Sequence, residues 1–113
     1  MTAQKRALVT GGHAGLGLAF CRALTEAGYA VTALDRTAPK SAVPWTHRVC
    51  DLRDRAHVDA AVHYLTAGEP FDLVIFNAGV SATGRFEKIP LEVHQRLIAV
   101  NVEAPIVLCS ELA

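Results

Sequence analysis

The stretch that decides how this chain is read is Ala7–Phe20, "ALVTGGHAGLGLAF". Small apolar residues run into four glycines between Gly11 and Gly17 and emerge into an amphipathic segment. Glycine is costly to order, so a cluster at the tip of a predicted strand calls for a physical reason. Two separate reasons exist. Positive φ lets the chain turn sharply there, and a missing Cβ lets a ligand or a second backbone come close.

Working outward, "KRALVT" (5–10) reads as the first strand and Leu16–Ala27 as a helix. Phe20, Ala23, Leu24 and Ala27 form the expected apolar face of that helix, and Gly28 closes it. "YAVTALD" (29–35) is apolar on both faces, as a strand covered on both sides should be. A proline-containing loop leads to a short strand at "HRVCD" (47–51). Val58, Ala61, Val62 and Leu65 mark a helix over 54–67 that Gly68 ends. "FDLVIFNAG" (71–79) is a fourth strand, and Pro90 introduces a long helix that runs to Ala113. Strand–helix alternation with short connections predicts an α/β fold, a doubly wound parallel sheet with right-handed crossovers.

The chain has 113 residues, 51% hydrophobic and 19% charged, with zero formal net charge. That size suits one domain over residues 1–113, and such a domain buries roughly 60–70% of its unfolded surface. Zero net charge removes the electrostatic case for nucleic acid or an anionic membrane as a partner. No secretory signal or membrane-length apolar run is visible, and Cys21, Cys50 and Cys109 are unpaired in pattern. The three thiols read as small buried hydrophobes, and the chain as cytoplasmic. The five histidines show no metal-ligand spacing, so no metal site is expected.

The turn after the first strand meets the start of the first helix, where free N–H groups and a partial positive charge suit an anion such as a phosphate. Thr10, Gly11, Gly15 and Gly17 give T-G-x-x-x-G-x-G, not the G-x-G-x-x-G fingerprint. Asp35, eighteen positions after Gly17 at a strand end, is placed to accept hydrogen bonds from an adenosine ribose. A carboxylate there argues for NAD. Arg36 beside it could grip a 2′-phosphate, so NADP stays open as the alternative. His13 and Leu16 lie within the same loop; His13 reads as solvent-exposed but within reach of a cofactor. Arg53, Asp54 and Arg55 read as a solvated helix start.

Together these stretches resemble the short-chain dehydrogenase/reductase family. "TGGHAGLG" (10–17) matches its cofactor loop, and "CDL" (50–52) its acidic pair after the third strand, placing Asp51 and Leu52 at the adenine. "FNAG" (76–79) is similar to N-N-A-G, with Phe76 in place of the first Asn and Asn77, Ala78 and Gly79 matching. "NVEA" (101–104) resembles N-V-x-G, with Asn101 at the catalytic asparagine and Ala104 replacing Gly. Ala14 stands where many NADP-preferring members carry a basic residue, which again favours NAD.

The resemblance implies a Rossmann-type sheet of order 3-2-1-4, truncated after about four strands and part of the long fourth helix. It also implies hydride transfer between a nicotinamide cofactor and a small alcohol or carbonyl substrate, and a homo-oligomer at full length. The family's tyrosine and lysine work as Y-x-x-x-K, where the cation lowers the phenol's pKa. Here Tyr29 is followed at that spacing by Ala33 and Tyr64 by Gly68. The chain is therefore expected to be the cofactor-binding half, inactive alone. It is also expected to be prone to associate through a long apolar edge at "FDLVIF" and an uncovered last helix. The alternative is a non-catalytic nucleotide-binding or interaction module acting as it stands.

Overall fold

The computed structural model describes residues 4–113. Strand β1 (Arg6–Thr10), helix α1 (Gly15–Glu26), strand β2 (Ala30–Asp35) and strand β3 (Thr46–Val49) come first. Helix α2 (Arg55–Thr66) and strand β4 (Leu73–Phe76) follow, and the chain ends in helices α3 (Leu91–Ile98) and α4 (Ala104–Leu112). All strands pair in parallel, in the order β3-β2-β1-β4. The expected doubly wound sheet and its strand order are both present.

Alternation along the strands splits the core in two. Leu8 and Leu34 face Val58, Ala61 and Leu65 of α2 and Ala104 and Leu108 of α4. Ala7, Val9, Val31 and Ala33 face Cys21 of α1 and Trp45. Because β1 and β2 are covered on both faces, their interiors are buried throughout, which is why they read as continuous apolar runs. The outer strands are shorter and wetter, so β4 is an edge as expected but only four residues long.

Local chemistry sets the helix ends. Asp54 caps α2 by accepting from the Ala56 N–H at 2.9 Å. After α1, Gly28 takes φ +95° while its N–H and that of Tyr29 donate to Thr25 and Leu24, a Schellman ending.

Two expectations fail here. The buried face of α1 is Gly17 and Cys21, flanked by half-buried Leu18 and Leu24, while Phe20, Ala23 and Ala27 are exposed. The rotation of α1 follows from Gly17 having to face the glycine loop, not from where the apolar residues fall. Cys109 is exposed, because α4 turns Ala104 and Leu108 inward and position 109 lies round the helix from them. The expected long final helix is present from Leu91 to Leu112, with a π turn over Ala99–Glu103 between α3 and α4, where the Ala104 N–H donates to the Ala99 carbonyl. Pro105, in the first turn of α4, has no N–H to offer the Asn101 carbonyl, which accounts for the change of register.

Candidate functional site

At the end of β1 the Gly11 N–H donates to the Leu34 carbonyl at 2.7 Å, and Gly11 turns with φ +67°. The chain then passes so close beneath α1 that Gly17 lies against it. A Cβ on Gly17 would strike the Gly11 carbonyl oxygen and come within 2.6 Å of the Asn77 amide nitrogen. Gly15 differs. It has φ +54° and open space where a Cβ would be. No side chain caps α1, and its first turn carries no acid. The helix therefore starts with free N–H groups and partial positive charge beside an open cradle, which fits a phosphate. Leu16, beside that cradle, is 71% exposed.

Thr10 works beneath the loop. Its buried hydroxyl oxygen accepts from the N–H groups of Asn77 and Ala78, both at 3.1 Å. The Asn77 side chain in turn donates to the Gly11 carbonyl at 3.1 Å. The segment after β4 is thus strapped to the segment after β1, at the carboxyl ends of adjacent strands. Asn101, in the π turn, extends the strap: it donates to the Val80 carbonyl at 2.8 Å and accepts from the Val80 N–H at 3.0 Å.

Asp35 ends β2 with both carboxylate oxygens engaged. One accepts from the His13 N–H at 3.1 Å, the other from the Thr37 N–H at 3.2 Å and hydroxyl at 3.4 Å. The expectation of an exposed His13 is overturned: its side chain is buried, and its Nδ1 donates to the Thr37 carbonyl. A polar ring finds a stable place there because that carbonyl and the edge of His47 enclose it.

Asp51 follows β3 and is gripped by Arg53 through contacts of 2.8 to 3.1 Å. The Arg53 guanidinium holds the Asp51 carboxyl down at about 2. Burial pushes the neighbouring Cys50 thiol up to about 11, with the Asp51 charge adding to it.

Gly11, Asp35, Arg36, Asp51, Leu52, Asn77, Ala78 and Gly79 line one cleft of about 270 Å³ at the carboxyl ends of the strands. Thr10 and His13 brace its floor, Gly15, Leu16 and Gly17 open the adjoining helix, and Asn101 holds one wall. Sequence reasoning missed Arg53, Val80 and Val100, which also line it. Arg53, Asp54 and Arg55 are exposed, as expected of a solvated helix start, and Arg53 also lines the cleft, where it meets Asp51. An acid two residues before an arginine at a strand end was the available signal. Among the described residues no group of three metal-ligating side chains converges, and no helix is long and apolar enough to cross a membrane.

A family model described as short chain dehydrogenase matches residues 5–113. The chain is 41% identical over 106 residues to D-erythrulose reductase of Gallus gallus, covering 88% of this chain and 42% of that protein. It is 33% identical over 109 residues to L-xylulose reductase of Bos taurus, covering 92% and 44% respectively. A Brucella ovis oxidoreductase of the short chain dehydrogenase/reductase family, solved with a partially ordered NAD, matches with a TM-score of 0.84 at 25% identity. That match covers 97% of this chain and 56% of the other. The chain spans less than half the length of these two curated relatives.

Proposed function

The chain belongs to the short-chain dehydrogenase family, and from that premise we propose that it is the dinucleotide-binding part of an NAD-dependent oxidoreductase, with NADP the alternative cofactor. Residues 1–113 would form a single, incomplete binding domain, in keeping with their share of the relatives' length. The observation that carries the reading is the convergence on one cleft of the glycine loop, Asp35, Asp51 and Asn77–Gly79. The open cradle at Gly15, over an uncapped helix start, supports the fit.

Thr10–Gly17 would hold the pyrophosphate, Asp35 with Arg36 the adenosine ribose, and Asp51 with Leu52 the adenine. Asn77–Gly79 would lie along the second ribose. When bound, the nicotinamide supplies or accepts a hydride. Asn101 would support proton movement: its side chain is committed to Val80, and Pro105 offers no N–H to its carbonyl, which can hold a water. The substrate is a small alcohol or carbonyl compound, as the reductase names of both relatives suggest. The full-length protein would be a homo-oligomer.

A second reading, a nucleotide-binding module without chemistry of its own, is favoured by one observation. Neither tyrosine precedes a lysine by four residues, and neither Tyr29 nor Tyr64 lines the cleft. Titration with NADH and NADPH, followed by nicotinamide fluorescence, tests the common core of both readings. The chain should bind NADH saturably and Asp35→Ala should weaken it about tenfold, the loss of one charge-assisted contact. Unchanged affinity in Asp35→Ala would refute the role given to that carboxylate. Turnover of alcohols by the chain alone would refute its being inactive alone.

A further inference from the structure

We infer that His13 is a positioning residue that sets the choice between a ribose 2′-hydroxyl and a 2′-phosphate, by locking Asp35 into the cleft; the inference rests on the dinucleotide reading above. The sequence leaves that choice balanced, with an acid at 35 and a guanidinium at 36. Both line the cleft, and Arg36 forms no ion pair among the described residues. The other guanidinium in the cleft, Arg53, is already committed to Asp51. Whichever of Asp35 and Arg36 is presented to the ribose decides the preference.

A closed circuit of hydrogen bonds makes that selection. The His13 N–H donates to one Asp35 oxygen at 3.1 Å, while the Thr37 N–H donates to the other at 3.2 Å. The His13 ring completes the circuit by donating from Nδ1 to the Thr37 carbonyl. A carbonyl only accepts, so Nδ1 carries a proton and is the donor in this bond. Nε2 is buried with no hydrogen-bond partner, so the bond to Thr37 is the ring's one polar tie among the described residues. His13 is 6% exposed, and its ring meets His47 edge-on, with centroids 5.5 Å apart.

Pinned from both sides, the carboxylate keeps a lone pair on the oxygen that accepts only from the His13 N–H, free for a ribose hydroxyl, and opposes a phosphate dianion at the same point. Without the ring's bond, residues 35–37 lose their tie to the glycine loop through Thr37. Asp35 can then turn away and Arg36 can reach the ribose.

Two variants separate the donor from the ring. His13→Phe keeps a buried ring and removes the donor. His13→Asn carries an amide N–H one bond beyond Cγ, where Nδ1 stands. Dissociation constants for NADH and NADPH are measured on the 113-residue chain, with melting curves to establish that each variant is folded. His13→Phe should lower the NADH-over-NADPH preference about tenfold, equivalent to about 1.4 kcal/mol, and His13→Asn should restore most of it. A folded His13→Phe with an unchanged ratio, or a His13→Asn as impaired as His13→Phe, overturns the role of His13 and leaves the cleft reading standing. Wild-type chain that binds neither dinucleotide overturns both. If His13→Phe does not fold, ¹⁵N NMR of the wild-type ring decides instead: a proton on Nδ1 supports the lock, and a ring protonated on Nε2 alone overturns it.

Discussion

Gly17→Ala should destabilise the chain even though alanine is the better helix former. Within a helix the exchange alone would favour alanine by about 1 kcal/mol. At this position, however, the new Cβ would come within 2.7 Å of the Gly11 carbonyl carbon, about 0.7 Å short of the 3.4 Å at which ordinary contact begins. It would also press on the Gly11 carbonyl oxygen and the Asn77 side chain at 2.6 Å. Two of these three contacts are backbone, so neither can rotate away. Either α1 lifts from the sheet, breaking its contact through Cys21, or Gly11 moves and loses its 2.7 Å bond to Leu34. Overpacking of this kind costs about 1–3 kcal/mol or more, so a net loss of about 2 kcal/mol is expected. For a domain of this size that lowers the melting temperature by about 10 °C. Gly15→Ala is the control. It meets nothing within 4 Å, so only its φ of +54° opposes the change, at a cost of about 1 kcal/mol. Urea unfolding of the two variants beside wild type gives both values. Gly17→Ala at or above wild-type stability would refute the close-approach reasoning.

The Asp51 carboxyl, held at about 2 by Arg53, contributes stability above its unfolded value of 3.8 and loses it as pH falls towards 2. Asp51→Asn should remove that part of the acid sensitivity, less than about 1 kcal/mol because solvent screens the pair, as unfolding curves at stepped pH would show. N-ethylmaleimide should label Cys109 alone in the native chain, since burial holds Cys21 and Cys50 at about 11; rapid native labelling of either would contradict their packing. Leu73, 36% exposed on the edge strand β4, marks a route to association. Leu73→Lys should shift sedimentation towards monomer, and an unchanged distribution would move the cause elsewhere.

The parallel sheet and its strand order were legible because buried central strands and amphipathic helices leave different periods in the sequence. The cleft was legible for the same reason: parallel strands bring the loops at 10–17, 35–36, 50–52 and 77–79 to one edge of the sheet. What was hidden depends on contacts between distant residues. The rotation of α1 is set by Gly17 against Gly11 and Asn77, and hydrophobic periodicity pointed instead to Phe20. His13 is buried by Thr37 and His47, twenty-four and thirty-four positions away, so its loop context alone suggested solvent. The π turn had only the weak cue of Pro105, and Arg53 entered the cleft through a pair with Asp51 that composition does not reveal.

The central claim is that this cleft holds a dinucleotide by its backbone loops. Amide shifts of the ¹⁵N-labelled chain titrated with NADH test it most directly. Saturable shifts confined to residues 10–17, 35–37, 51–53 and 77–80 are predicted. A folded chain whose amides do not move, or move only elsewhere, would contradict it.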